Sequence, residues 1–99
     1  MRDKIKGIVK RTLRSWNLFE DDWNIGFGYD CIIIEIVKKG RELYPEDIIT
    51  LARSLKTDIN WVAVSDYGNL VIGYDISNFI VDEFGGFEEY NIWFESLNE

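Results

Sequence analysis

The chain is 99 residues long, with 46% hydrophobic and 15% aromatic residues, so it predicts one folded domain over residues 1–99 rather than a disordered acidic tail. A chain of this length excludes a separate substrate domain. Its net charge of −7, single cysteine and lack of histidine exclude an internal disulfide framework, histidine-based catalysis and histidine-containing zinc sites.

The first predicted element is an amphipathic helix over residues 3–16, because apolar side chains recur there at helical spacing. Its opposite side carries four cations in an unbroken i, i+4 row, which we call the basic row: Arg2, Lys6, Lys10 and Arg14. The basic row is a candidate anion-binding surface for phosphates, an anionic membrane surface or an acidic partner. The alternative is a solvated helix face whose charge offsets the acidic remainder of the chain.

A strand is predicted near residues 24–28, where large apolar residues alternate with small or polar ones. We expect its aromatic side to face the core, and a helix to pack on the side that carries Gly26. Tyr29 and Asp30 are placed to turn this strand into the next one and so to complete a first hairpin.

Residues 31–37 form the most continuous apolar run of the chain and predict the central strand. Both of its sides are largely apolar, so we expect helices to cover both faces of the sheet. Cys31 is then expected to be a buried, inert thiol. We expect Glu35 near the strand end, where its charge reaches solvent or pairs with Lys38, Lys39 or a lysine of the first helix.

A second amphipathic helix is predicted over residues 45–56, with a proline and two acidic residues at its start. Strands near 60–65 and 70–74, joined by turn residues 66–69, form a second hairpin. The connection through the helix is long enough for a crossover, so the central and third strands could be parallel and one strand apart.

The C-terminal part begins with Ser77, which is expected to cap a short helix that ends at Phe84 before a joint at Gly85 and Gly86. Residues 87–97 fit the spacing of either a helix or a strand, and we expect a helix. The predicted fold is therefore α+β. It is a four-stranded, mostly antiparallel sheet of two hairpins with an N-terminal helix, a central helix and one or two C-terminal helices, in the order αββαββα.

Catalytic and cofactor motifs are absent from the sequence, which has no phosphate-binding glycine loop and no calcium-loop spacing of carboxylates. We therefore expect no enzymatic activity, no cofactor and no metal. No apolar run reaches the roughly 18 residues that a membrane span needs, and no signal-peptide core follows the basic N-terminus. These observations favour a cytoplasmic protein without membrane association.

Charge is distributed unevenly along the chain. Residues 1–16 contain six Arg or Lys and one Asp, whereas residues 17–99 contain five basic and seventeen acidic residues. The 43 residues that follow Lys56 carry nine carboxylates and no basic side chain, and many aromatic residues lie among them. Aromatic residues are enriched at binding hot spots, and carboxylates attract basic partners. The candidate partner-binding residues on both sides of the glycine joint are Asp82, Glu83, Glu88, Glu89, Tyr90 and Trp93.

Two hypotheses from different classes follow. The first is a small acidic module that binds a basic protein; its sharpest form is an inhibitor, encoded by a phage or other mobile element, whose carboxylates replace phosphates in a nucleic-acid-binding groove. The second is a nucleic-acid-binding or scaffold subunit that uses the basic row. The aromatic residues that look exposed also allow a homodimer.

Overall fold

The structure is a computed structural model that describes residues 1–40, 44–57 and 59–97. The elements are the helices α1 (Arg2–Ser15), α2 (Pro45–Ser54), α3 (Ser77–Phe84) and α4 (Phe87–Ser96), the strands β1 (Trp23–Phe27), β2 (Cys31–Ile36), β3 (Ile59–Val64) and β4 (Leu70–Asp75), and a 3₁₀ turn at Glu20–Asp22. The predicted α+β order is confirmed with two C-terminal helices, and residues 87–96 are helical, as expected.

The four strands form one sheet in the order β1-β2-β4-β3, in which all neighbours are antiparallel. Because β2 and β3 both run antiparallel to β4, they are parallel to each other with one strand between them, which is the arrangement that the length of the connection allows. The first hairpin closes where the Gly28 N–H donates to the Cys31 carbonyl at 2.8 Å, which leaves Tyr29 and Asp30 as its two-residue loop. In the second hairpin Gly68 adopts a φ of 78°, a left-handed conformation that favours glycine.

The hydrophobic core lies on one face of the sheet. The central strand contributes Ile32, Ile34 and Ile36, which are between 0% and 4% exposed. The helices cover them with a single cluster of buried residues that includes Ile5, Val9, Leu13, Leu51, Ala52, Phe79, Ile80 and Tyr90. All four helices therefore contribute their buried residues to the same core.

The opposite face of the sheet is open, and the prediction that helices cover both faces is wrong. Ile33 is 38% exposed, Cys31 is half-buried rather than buried as expected, and Glu35 is half-buried. The predicted helix on the glycine side of β1 is also not found among the described residues, since a Cβ built at Gly26 would meet no atom within 4 Å. The physical reason is that the buried side chains of the helices all pack in one cluster with Ile32, Ile34 and Ile36, on the other face of the sheet.

The start of α3 also differs from the prediction. Ser77 is the first helical residue rather than the cap, and its N–H donates to the Asp75 carboxylate at 2.7 Å. Asp75 thus satisfies an N–H at the helix start that has no partner within the helix. α3 ends at Gly85, whose φ of 75° is again left-handed, and α4 begins two residues later at Phe87.

Candidate protein-binding surface

The aromatic residues of the C-terminal part mainly hold α4 in place. Tyr90 is 1% exposed, and its hydroxyl donates a hydrogen bond to the Tyr29 carbonyl in the first hairpin loop. Its ring lies 5.1 Å from that of Tyr29 and 5.4 Å from that of Phe84, measured between centroids. Burial raises the pKa of Tyr90. The side chain is therefore not available to a partner, and we remove Tyr90 from the candidate contact residues.

Trp93 is half-buried within the same aromatic cluster. Its ring centroid lies 5.4 Å from that of Phe84, and the Arg2 guanidinium lies 5.9 Å from its ring. These contacts join α4 to α3 and to the start of α1. Trp93 thus has a packing role, and only part of its surface is available for binding.

The outward side of α4 has a different composition. Glu88, Ile92 and Glu95 follow one another at i, i+4 and i+7, so they share one side of the helix, with Glu89 beside them. We call these four residues the α4 outer face. All are exposed, and Ile92 is 63% exposed. Within the described part of the chain, no salt bridge joins their carboxylates to a cation.

Ile92 and Glu95 were not among the residues singled out from the sequence. Tyr90, Ile92 and Phe94 alternate in the sequence as the buried residues of a strand would. For that reason the exposure of Ile92 on a helix was not anticipated. The helical spacing of Phe87, Tyr90, Trp93 and Phe94 assigns the inner side of α4 to those residues, which leaves Ile92 outside. That spacing was the signal that could have identified both residues.

The other two candidate carboxylates differ from those on α4, because each has a basic partner. Lys56 Nζ lies 3.1 Å from Asp82 Oδ2, and Lys4 Nζ lies 3.1 Å from Glu83 Oε2. Both acidic residues lie in the last turn of α3, at the negative end of its dipole, so the lysines also offset an unfavourable interaction. Exposed pairs of this kind are worth at most about 1 kcal/mol each, so a partner can replace them.

The basic row is engaged within the chain. The Arg2 guanidinium lies 5.2 Å and the Lys6 ammonium 5.8 Å from the centroid of the Phe27 ring. Lys10 and Arg14 lie 2.9 and 2.7 Å from the same oxygen of Glu20. The hydrogen bond from Lys10, together with Arg14, lowers the pKa of Glu20 to about 2. Each cation of the row thus has a contact within the domain, and Lys10 and Arg14 are the two whose contact is an acidic side chain.

Cys31 and Glu35, the two other residues singled out on the central strand, lie on the open face of the sheet. Burial, together with the charges of Asp30 and Asp75, raises the pKa of the Cys31 thiol, which disfavours the nucleophilic thiolate. Glu35 accepts a hydrogen bond from the Asn69 amide at 2.9 Å, and the Asn69 oxygen accepts one from Lys39 at 2.8 Å. Glu35 is therefore connected to Lys39 through Asn69 rather than by a direct ion pair.

Residues 1–40, 44–57 and 59–97 form neither a metal-binding cluster nor a membrane-spanning helix. No three metal-ligating side chains among these residues come together in a group that could hold an ion. No helix formed by them combines the length and the apolar character that crossing a membrane requires. Comparison with family models, with curated proteins and with solved structures finds no match for this chain.

Proposed function

We propose that the protein is a small acidic binding module whose α4 outer face contacts a basic protein. The observation that carries the proposal is the exposed Ile92, which lies between carboxylates that have no basic partner in the described part of the chain. The proposal assigns the protein no catalytic role and no cofactor.

The composition of the α4 outer face suits a protein partner. Protein interfaces commonly combine an apolar centre with a polar rim, and here Ile92 supplies the centre while Glu88, Glu89 and Glu95 supply the rim. The carboxylates would steer a surface rich in lysine and arginine towards the helix, and like charge would repel nucleic acid. Asp82 and Glu83 supply two further carboxylates on the neighbouring helix α3 once their lysine partners are displaced.

The sharper form of the proposal is an inhibitor that occupies the nucleic-acid groove of a basic protein, as products of phages and other mobile elements do. Support comes from the charge distribution alone: Glu88 and Glu95 lie about two turns apart on one side of α4 and present negative charge at separated points, as a phosphate backbone does. This form also includes a cytoplasmic location, where such a partner meets nucleic acid.

The test compares two variants with the same total change in charge. In the first, Glu88, Glu89 and Glu95 are all changed to lysine; in the control, Asp21, Glu46 and Asp66 are. All six side chains are exposed, and each set includes residues in the first turn of a helix. Each immobilised protein is used to capture partners from the source organism, and the affinity of the captured protein is then measured at low and high salt.

We expect the α4 variant to lose at least tenfold in affinity for the captured partner, mainly through slower association, and the loss to shrink at high salt. The control should bind much as the unmodified protein does. Equal losses in the two variants would show that only net charge matters and would overturn the assignment to α4. The inhibitor form further requires that duplex DNA compete with this protein for the partner.

A further inference from the structure

The outermost strand β3 has the composition of an interior strand. It lies at one edge of the sheet, with β4 on its inner side. Val62 and Val64 pair with Ile72 and Leu70 and so point to the helix side of the sheet, yet they are 51% and 70% exposed. The helices therefore leave this side of β3 largely uncovered.

The other side of β3 is apolar as well. Trp61 is 38% exposed and Ala63 is also exposed, and both point to the open face of the sheet together with Ile33. Apolar residues on both sides are typical of strands whose two faces are covered, so both exposed sides of β3 are unusual for a strand at the edge of a sheet. The opposite edge strand, β1, differs because its open side carries Asn24 and Gly26.

β3 also lacks most of the features that protect edge strands from pairing. Residues 59–65 contain no charged side chain and no proline, whereas natural edges usually carry lysine, proline or a bulge. One irregularity is present, between Ile59 and Trp61, and it leaves 61–64 in regular register with β4. The outer N–H and C=O groups of this segment are therefore placed to continue the sheet.

We propose that β3 pairs antiparallel with β3 of a second copy of this chain. An antiparallel pair of identical strands is self-complementary about a two-fold axis, so one surface serves both partners. Each copy has a net charge of −7, so two copies repel one another over most of their surface. Residues 59–65 carry no charge, so two copies can pair there without like charges facing each other in the paired segment. A basic partner would find no carboxylate within this strand to bind.

The arrangement joins two four-stranded sheets into one of eight strands and keeps both helical layers on the same side. Val62 and Val64 of the two copies would then cover one another between the helical layers. α4 contacts Tyr29 in the β1–β2 hairpin, at the other edge of the sheet, so pairing through β3 leaves both α4 outer faces exposed. The dimer would present two acidic surfaces to a partner.

The paired segment is short, so we expect an equilibrium that depends on concentration rather than an obligate dimer. Sedimentation velocity of the full chain, from low to high micromolar concentration, should show a shift from the 11.6 kDa monomer to twice that mass. Changing Val62 and Val64 together to lysine should remove the dimer over the whole range. In the control, Phe19 and Val81 are changed together to lysine; they are 53% and 45% exposed and lie outside β3. The control should dimerise as the unmodified chain does.

Hydrogen exchange supplies a second measurement on the unmodified protein. Amides of residues 61–64 that point away from β4 should exchange more slowly as the dimer forms, while those of β1 should not change. Circular dichroism should show that both lysine variants are folded. The proposal is overturned by a monomer at all concentrations, by a dimer that persists in the Val62 and Val64 variant, or by equal loss of the dimer in the control.

Discussion

The indole ring of Trp61 lies against Gly73 on the neighbouring strand, where the two residues are register partners between β3 and β4. A Cβ built at Gly73 would stand 2.5 Å from both Cε2 and Nε1 of the indole, which is closer than such atoms approach in proteins. The glycine thus makes the room that lets Trp61 cover part of the open sheet face.

Gly73→Ala should therefore displace the indole. We expect it to lower the free energy of unfolding by about 1–3 kcal/mol, the usual range for an overpacked site. In a Trp61→Ala background the same substitution should cost much less, because the colliding ring is gone. A double-mutant cycle from chemical denaturation measures this coupling. Equal costs in both backgrounds would mean that the two side chains do not interact in solution.

The two faces of the central strand make a matched pair. Ile34 is fully buried, whereas its neighbour Ile33 is 38% exposed. Ile34→Ala should lower the free energy of unfolding by about 2–5 kcal/mol, since it leaves a cavity in the core. Ile33→Ala should cost clearly less than Ile34→Ala, because more than a third of Ile33 is already in solvent and its removal leaves no closed cavity. Denaturant titrations of the two variants give the comparison, and similar costs would contradict an open face.

The hairpins could be predicted because their signals are local. Residues 66–69 supply a turn, and the segments on both sides alternate in the manner of strands. The open face could not be predicted in the same way, since Ile33 is as apolar as Ile32 and Ile34. Which side of such a strand the helices cover depends on how the whole chain packs. The sequence of the strand alone does not determine it, because both sides are apolar.

The candidate site shows the same division. The acidic character of the C-terminal part is evident in the sequence, and the candidate carboxylates Asp82, Glu83, Glu88 and Glu89 lie on α3 and α4. The pairing of Asp82 with Lys56 and of Glu83 with Lys4 was not predicted, because these partners are 26 and 79 residues apart in the chain. Tyr90 was assigned to the surface because aromatic residues in an acidic segment suit an interface as well as a core.

Tyr74 provides a prediction about alkaline stability. Its side chain is fully buried and its hydroxyl donates to the Ile48 carbonyl at 3.1 Å, and burial raises its pKa above the usual value of 10. The stabilisation is complete below pH 10 and is lost above it, because the unfolded chain then releases the phenolic proton while the folded chain retains it. Tyr74→Phe should cost about 1 kcal/mol at neutral pH, where the hydrogen bond is lost.

The measurement is the free energy of unfolding from neutral pH to above pH 10. Tyr74→Phe should show a shallower alkaline decline than the unmodified protein, since one buried phenol no longer contributes. Tyr67→Phe is the control, because Tyr67 is 82% exposed and should leave the decline unchanged. If the decline stays as steep without Tyr74, then another group causes it.

DNA binding by the basic row distinguishes the nucleic-acid-binding hypothesis from the acidic binding module. Glu20 engages both Lys10 and Arg14, and the chain as a whole is acidic, so we expect no binding to duplex or single-stranded DNA at about 0.15 M salt. Glu20→Gln should free the two cations and raise any binding seen at low salt. Asp21→Asn removes the same charge outside these ion pairs and should have a smaller effect. Fluorescence anisotropy with labelled DNA measures all three proteins. Binding of the unmodified protein at physiological salt, abolished when Lys6, Lys10 and Arg14 are changed to glutamine, would show instead that the basic row is a nucleic-acid-binding surface.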